Sequence, residues 1–192
     1  EHYRAGAAAY WSRGADAIYL PWFKWPIGAE QRQTLSEIHD PDLLGDKSKH
    51  YIARPRPAEH LASSYGFEPD TVAAMGKLPL KLETGLAPPG QTVKIYVADG
   101  PDQCKAQLKL RLVGSTSHDV MTVTLNGKPL PADGVVRTEY GGYLYTWIEF
   151  PLPPDMWHKG HNEVGVAVES RPDNLTVDVV LAGVELLVER AE

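Results

Sequence analysis

The side chains of this chain best suited to chemistry are aromatic. Trp22, Phe23 and Trp25 crowd together near the start, and Tyr143, Tyr145 and Trp147 alternate further on. An indole or phenol ring has a flat apolar face and a polar atom at its edge, which suits the C–H face of a sugar as well as it suits a core. Alternate residues of a strand share a face. Tyr143, Tyr145 and Trp147 therefore form one strip, and Leu144, Thr146, Ile148 and Phe150 form the other. The second strip is the more apolar and is expected inward. The aromatic strip then faces outward, to meet glycan or to be covered by the N-terminal part of the chain. Trp22 and Trp25 serve either as a sugar platform or as packing for the helix that follows them. Trp11 falls on a helix and reads as core.

Other chemistry is thinner. Hydrolysis of a glycosidic bond needs two carboxylates at a set separation, and Glu139 and Glu149 fall on neighbouring candidate strands. With 25 acidic residues in the chain, some pair will always look suggestive, and both are expected on solvated faces. His158 and His161 flank a Lys-Gly turn, but no further ligands accompany them, and a metal site needs them. No metal site and no cofactor is indicated. Asp99 and Asp102, around Gly100-Pro101, could contribute to a Ca²⁺ site, but would supply at most a fraction of the 6–8 oxygens that Ca²⁺ takes, and read first as turn residues. No nucleophile elbow, phosphate loop or dinucleotide fingerprint occurs.

The elements that must position these residues change character along the chain. Ala5–Trp11 is helix-forming and Gly14 is a stop. Ala15–Phe23 reads as an apolar, buried strand, and Ala29–Ile38 as a helix. Asp40-Pro41-Asp42 is a break before a short helical piece over 43–47. Arg54-Pro55-Arg56-Pro57 forbids a regular helix or central strand, with a short helix expected over 58–65. From Leu80 the period becomes two. Val93, Ile95 and Val97 share a face, as do Leu108, Leu110 and Leu112. Asn126-Gly127 is a hairpin turn, Gly141-Gly142 is another turn candidate, and Ala182-Gly183 separates two strands. The count is roughly eight strands, spaced as in an all-β sandwich or jelly roll. The expected organisation is an α/β segment over 1–51, a connector over 52–79 and a β-sandwich over 80–192.

The 192 residues carry a net charge of −6, which argues against a nucleic-acid surface, and no apolar run is long enough to span a bilayer. Cys104 is alone, so no intrachain disulfide forms. The chain opens on Glu1 with no visible signal peptide and reads as cut from something longer or processed.

Two stretches carry a resemblance. Residues 119–131 (DVMTVTLNGKPLP) and 145–169 (YTWIEFPLPPDMWHKGHNEVGVAVE) are similar to the galactose-binding-like jelly roll that accompanies many glycoside hydrolases, through Leu-Asn-Gly after one strand and Gly-x-Asn-Glu before another. The opening, Gly14-Ala15-Asp16-Ala17-Ile18-Tyr19-Leu20, resembles the eighth strand of bacterial glycoside-hydrolase-like (β/α)8 barrels, in which a β-sandwich follows the barrel. The resemblance implies a mainly β chain: a jelly-roll β-sandwich preceded by a short α/β segment like the last unit of a barrel. It implies polysaccharide processing, an oligo- or polysaccharide as partner, and an extracellular or periplasmic setting. The usual catalytic carboxylates of such barrels lie on earlier strands and map to no position here.

The expected function is a carbohydrate-related accessory module, glycan-binding or barrel-stabilising, with Trp22, Trp25, Tyr143, Tyr145 and Trp147 as glycan contacts. One alternative is an enzyme in its own right, with a site at the junction of the two segments and Glu139 and Glu149 as its carboxylates. Another is a purely structural domain. An isolated strand over 15–23 would leave both edges unpaired, so self-association or docking on the sandwich is expected there.

Overall fold

The computed structural model describes residues 1–20, 23, 26–53, 77–102, 104–140 and 145–190. The chain is mainly β, two antiparallel sheets face to face, with a small helical layer at one side.

The helical layer is local chemistry first. Helix α1 (His2–Trp11) is alanine-rich and runs out at Ser12, and Gly14 turns the chain with φ +85°. Helix α2 (Ala29–Ile38) starts at Gly28, whose N–H donates to Gln31 Oε1 at 3.1 Å. The one-turn helix α3 (Pro41–Leu44) has Asp40 as its cap, accepting from Asp42 N at 2.9 Å. Trp11 Nε1 donates to Ile38 O at 2.9 Å, and Arg4 Nε meets Glu37 Oε2 at 2.5 Å. Both bonds tie α1 to α2. Ala7, Ile38 and Leu44 form a small core between them, with Ile18, Leu20 and Leu35 packed around it.

The strand expected over 15–23 is not formed in its described part: Ala15–Leu20 is irregular. Among the described residues no strand lies beside it to complete a ladder, and Ile18 and Leu20 instead pack on the helices. A lone extended segment without ladder partners gains nothing from strand geometry. The helix expected over 58–65, the Arg54–Pro57 stretch and the Gly141-Gly142 turn lie outside the described residues.

The larger sheet contains β1 (Lys49–Ile52), β2 (Leu80–Leu82), β4 (Cys104–Val113), β7 (Val136–Tyr140), β8 (Tyr145–Leu152) and β10 (Val179–Arg190), in the order β1-β10-β4-β8-β7 with β2 also on β10. The smaller holds β3 (Gln91–Val97), β9 (Gly160–Ser170), β5 (Val120–Leu125) and β6 (Lys128–Pro129), in that order. β1 pairs with β10 over Lys49↔Val188 to Ile52↔Glu185, and β2 pairs over Leu80↔Leu181 to Leu82↔Val179. Because β4 takes the other side of β10, β1 and β2 share one edge end to end. The expected boundary at residue 51 falls inside β1.

The core follows the period of two. Leu108, Leu110 and Leu112 of β4 are buried, as are Ile148, Phe150 and Leu152 of β8, and they meet Val93, Ile95 and Val97 of β3 and Val164, Val166 and Val168 of β9. Burying each such side chain stabilises the fold by about 1.5–3 kcal/mol. Ala182-Gly183 does not separate two strands. Both halves of β10 pair with β4, and the register merely shifts between Leu181 and Gly183. The glycine marks a bulge inside a continuous strand.

Candidate functional site

The two motifs that carry the family resemblance are joined in space, and their work is structural. Asn126, after β5, adopts φ +53°. Its Nδ2 donates to Met156 O at 3.0 Å and to Asn162 Oδ1 at 2.9 Å, and its Oδ1 accepts from Glu163 N at 2.9 Å. Asn162 is fully buried. Its Oδ1 also accepts from His158 N at 3.0 Å, and its Nδ2 donates to His158 O at 2.7 Å and Gly160 O at 3.3 Å. The amide pair staples the β5–β6 hairpin to the turn that feeds β9. Polar side chains spent this way are not available to a ligand.

The outer face of the larger sheet holds the aromatic strip. In β8 the side chains of Thr146, Ile148, Phe150 and Leu152 are buried, while Tyr145, Trp147 and Glu149 are part-exposed on the other face. The inward and outward assignment made from the sequence is therefore the one observed over the described residues. Trp147 stands between Arg111 of β4 and Thr138 of β7. Lys109 Nζ lies 5.3 Å and the Arg111 guanidinium 5.9 Å from its ring centre. Gly183 makes room for Arg111, whose Cβ would be 3.3 Å from a Cβ placed there. Tyr145 stacks on Tyr140 with centroids 4.9 Å apart. The helices pack at the opposite edge, on β1 and β3, so they leave this strip open. Trp22, Trp25 and Tyr143 lie outside the described residues. Phe23 rests against the Tyr3 ring, 5.0 Å away.

Glu139 and Glu149 are not brought together. Glu149 shares the outer face with Trp147 and pairs with Lys109 at 3.2 Å. Glu139 lies opposite Thr146, a buried position, and so sits on the other face, where it pairs with Arg137 at 3.0 Å. Two carboxylates on opposite faces of one sheet cannot flank a single glycosidic bond.

A second concave region was not visible in the sequence. A cleft of about 800 Å³ opens between α1 and the outer face of β3 and β9. Arg13, just past α1, lies 4.7 Å from the Tyr96 ring centre and 5.5 Å from that of Tyr10. Its Nε is anchored on Ala9 O at 2.8 Å. Tyr96 is held in turn by Ser12 Oγ at 3.0 Å and by the His161 ring, 5.1 Å away edge-on. At the far wall the His2 ring lies 4.0 Å from that of His50, and His50 Nε2 meets Glu185 Oε2 at 2.7 Å. Burial lowers the pKa of His50, outweighing the Glu185 bond that favours its charged form. No motif marks this cleft, because its described residues come from five separated stretches.

Asp99 does not behave as a calcium ligand. Its Oδ1 takes Lys49 Nζ at 2.9 Å and its Oδ2 takes Tyr51 OH at 2.7 Å. Lys49 is almost wholly buried, and burial together with the Asp99 charge drives the Tyr51 phenol far above its usual range. The triad locks β1 to the end of β3. Burial likewise raises the pKa of the Cys104 thiol. His158 and His161 go to different neighbours, Asn126 and Tyr96. Among the described residues no three His, Cys, Asp or Glu side chains are placed to hold a metal, and no helix is long and apolar enough to cross a membrane.

No known protein family matches the chain, and no curated protein matches it. Among solved structures, the Stig cyclase Fisc from Fischerella sp. TAU is similar at 15% identity over 61% of this chain and 73% of its own, with a TM-score of 0.24. A likeness at that score carries no argument about fold or function.

Proposed function

We propose that this chain is a carbohydrate-binding module built on a jelly-roll sandwich of the galactose-binding-like type, and that the outer face of its larger sheet meets the glycan. The observation that supports this reading is Trp147, a part-exposed indole on a sheet face that the helices leave open, with the Tyr140–Tyr145 stack beside it. Val136 and Tyr140 are exposed along the same edge region. An apolar patch rimmed by Lys109, Arg111 and Glu149 supports the reading of an interaction surface over that of a bare sheet back. Lys109 and Arg111 both approach the indole from β4, so a sugar ring would come from the β7 side, past Thr138. The charged rim would bond its hydroxyls.

The reading gives Glu139 and Glu149 no shared hydrolytic role, since they are divided between two faces. Affinity electrophoresis of the whole chain through gels containing different neutral polysaccharides tests it. Retardation by at least one glycan is expected, with free mobility restored in Trp147→Ala at an unchanged melting temperature. Free mobility in every gel, or retardation that survives Trp147→Ala, refutes it.

A further inference from the structure

We propose that the cleft between α1 and the β3–β9 face is a second binding site, and that it takes an acidic sugar of one or two rings. Three observations carry this. The first is size: about 800 Å³ lies within the range of small-molecule sites. The second is charge. The chain as a whole is acidic, at −6, yet among the described residues Arg13, Lys77 and Lys94 line the cleft against one carboxylate, that of Glu163. At the far wall, Glu185 is already taken by His50.

The third is preorganisation. Arg13 is held by Ala9 O through Nε and by the two tyrosine rings, and its terminal nitrogens make no bond to any described residue. No described carboxylate reaches Arg13 or Lys94. A guanidinium fixed at its inner nitrogen, with the outer edge of its fork open, fits a carboxylate. The rings of Tyr10 and Tyr96 lie beside it for the apolar face of the sugar. The inference rests on the carbohydrate reading for the ring of the ligand and not for its charge.

The experiment titrates the whole chain with digalacturonate, and separately with its neutral counterpart digalactose, by calorimetry in low salt. The arms use wild type, Arg13→Gln, Lys94→Gln and Trp147→Ala. Digalacturonate should bind wild type and Trp147→Ala alike and digalactose at least about tenfold more weakly, and Arg13→Gln should lose about tenfold or more. Lys94→Gln should lose less, and added salt should weaken binding of the acid. Arg13 and Lys94 are exposed, so both variants should melt with wild type, which separates lost binding from lost fold. Equal binding of the two sugars, no binding of the acid, or indifference to Arg13→Gln overturns the inference. Loss in Trp147→Ala with none in Arg13→Gln also overturns it, and places the acid on the sheet face instead, in keeping with the glycan reading.

Discussion

Replacing Asn162 by alanine should remove the staple between the β5–β6 hairpin and β9. The side chain is fully buried and makes four hydrogen bonds, to Asn126 Nδ2, His158 N, His158 O and Gly160 O. A buried polar group left without its partner costs about 1–3 kcal/mol. His158 is exposed and Gly160 part-exposed, so water can replace some of the lost partners at the turn. It reaches the Asn126 side less readily. The expected loss for Asn162→Ala is about 2–4 kcal/mol. Asn126→Gly keeps the left-handed turn without strain, drops the amide's bonds to Met156 O, Asn162 Oδ1 and Glu163 N and its longer contact with His158 Nδ1, and should lose about 1–3 kcal/mol. The two side chains share a 2.9 Å bond, so the double variant should lose less than the sum, by about 0.5–3 kcal/mol. Urea unfolding of the four proteins gives the cycle. A loss under about 1 kcal/mol for Asn162→Ala, or strict additivity, would show that the network is not a unit and that burial alone holds the turn.

Other perturbations probe other layers. Leu110→Ala, in the middle of β4 and wholly buried, should cost about 2–5 kcal/mol in chemical denaturation; a change near zero would misplace the inner face. Gly165→Ala would set a Cβ 2.4 Å from Thr124 Oγ1 and 2.6 Å from Pro89 O, so it should lower the melting temperature sharply, while Gly127→Ala, with open space but φ +80°, should lower it only modestly. Burial depresses the pKa of His50, and Glu185, His2 and Glu1 are the ionisable groups that act on it. The unfolded chain therefore takes up that proton first. Its contribution is complete above about pH 6.5 and is lost as pH falls through the lower folded value. Urea midpoints across that window should fall more for wild type than for His50→Gln, and identical slopes would exclude the imidazole as the cause.

Much of the sandwich was legible because it rests on local periodicity. The inward faces of β3, β4 and β8 can be read from alternate residues alone, and Asn126-Gly127 announces its own turn. Helix α2 begins and ends where its pattern does. What failed had a non-local cause. Ala15–Leu20 is apolar enough for a strand, but a strand needs a neighbour, and these residues found helices instead. Ala182-Gly183 looks like a turn until β4 is seen running past it on both sides. The four residues of β1 carry little pattern of their own; Lys49 is buried there only because Asp99 waits for it, fifty positions on. The cleft was illegible for the same reason. Arg13, Tyr96 and His161 mean nothing separately, and their spacing in sequence encodes no motif. In the outer strip, alternation revealed which face Trp147 takes, but not that Lys109 and Arg111 would stand over its ring.

The strand β10 has a consequence for how the chain comes to be folded. It is flanked by β4 on one side and by β1 and β2, end to end, on the other. Without it, the larger sheet falls into β4, β8 and β7 on one hand and two short, unattached strands on the other. During synthesis β10 is the last of these strands to appear, and it must find partners made as much as 135 or more residues earlier, as the His50–Glu185 contact shows. Closing such long loops is slow. Until then β1 and β2 have no ladder, and the far edge of β4 lies bare to any passing strand. The nascent chain should therefore be most open to aggregation just before β10 emerges.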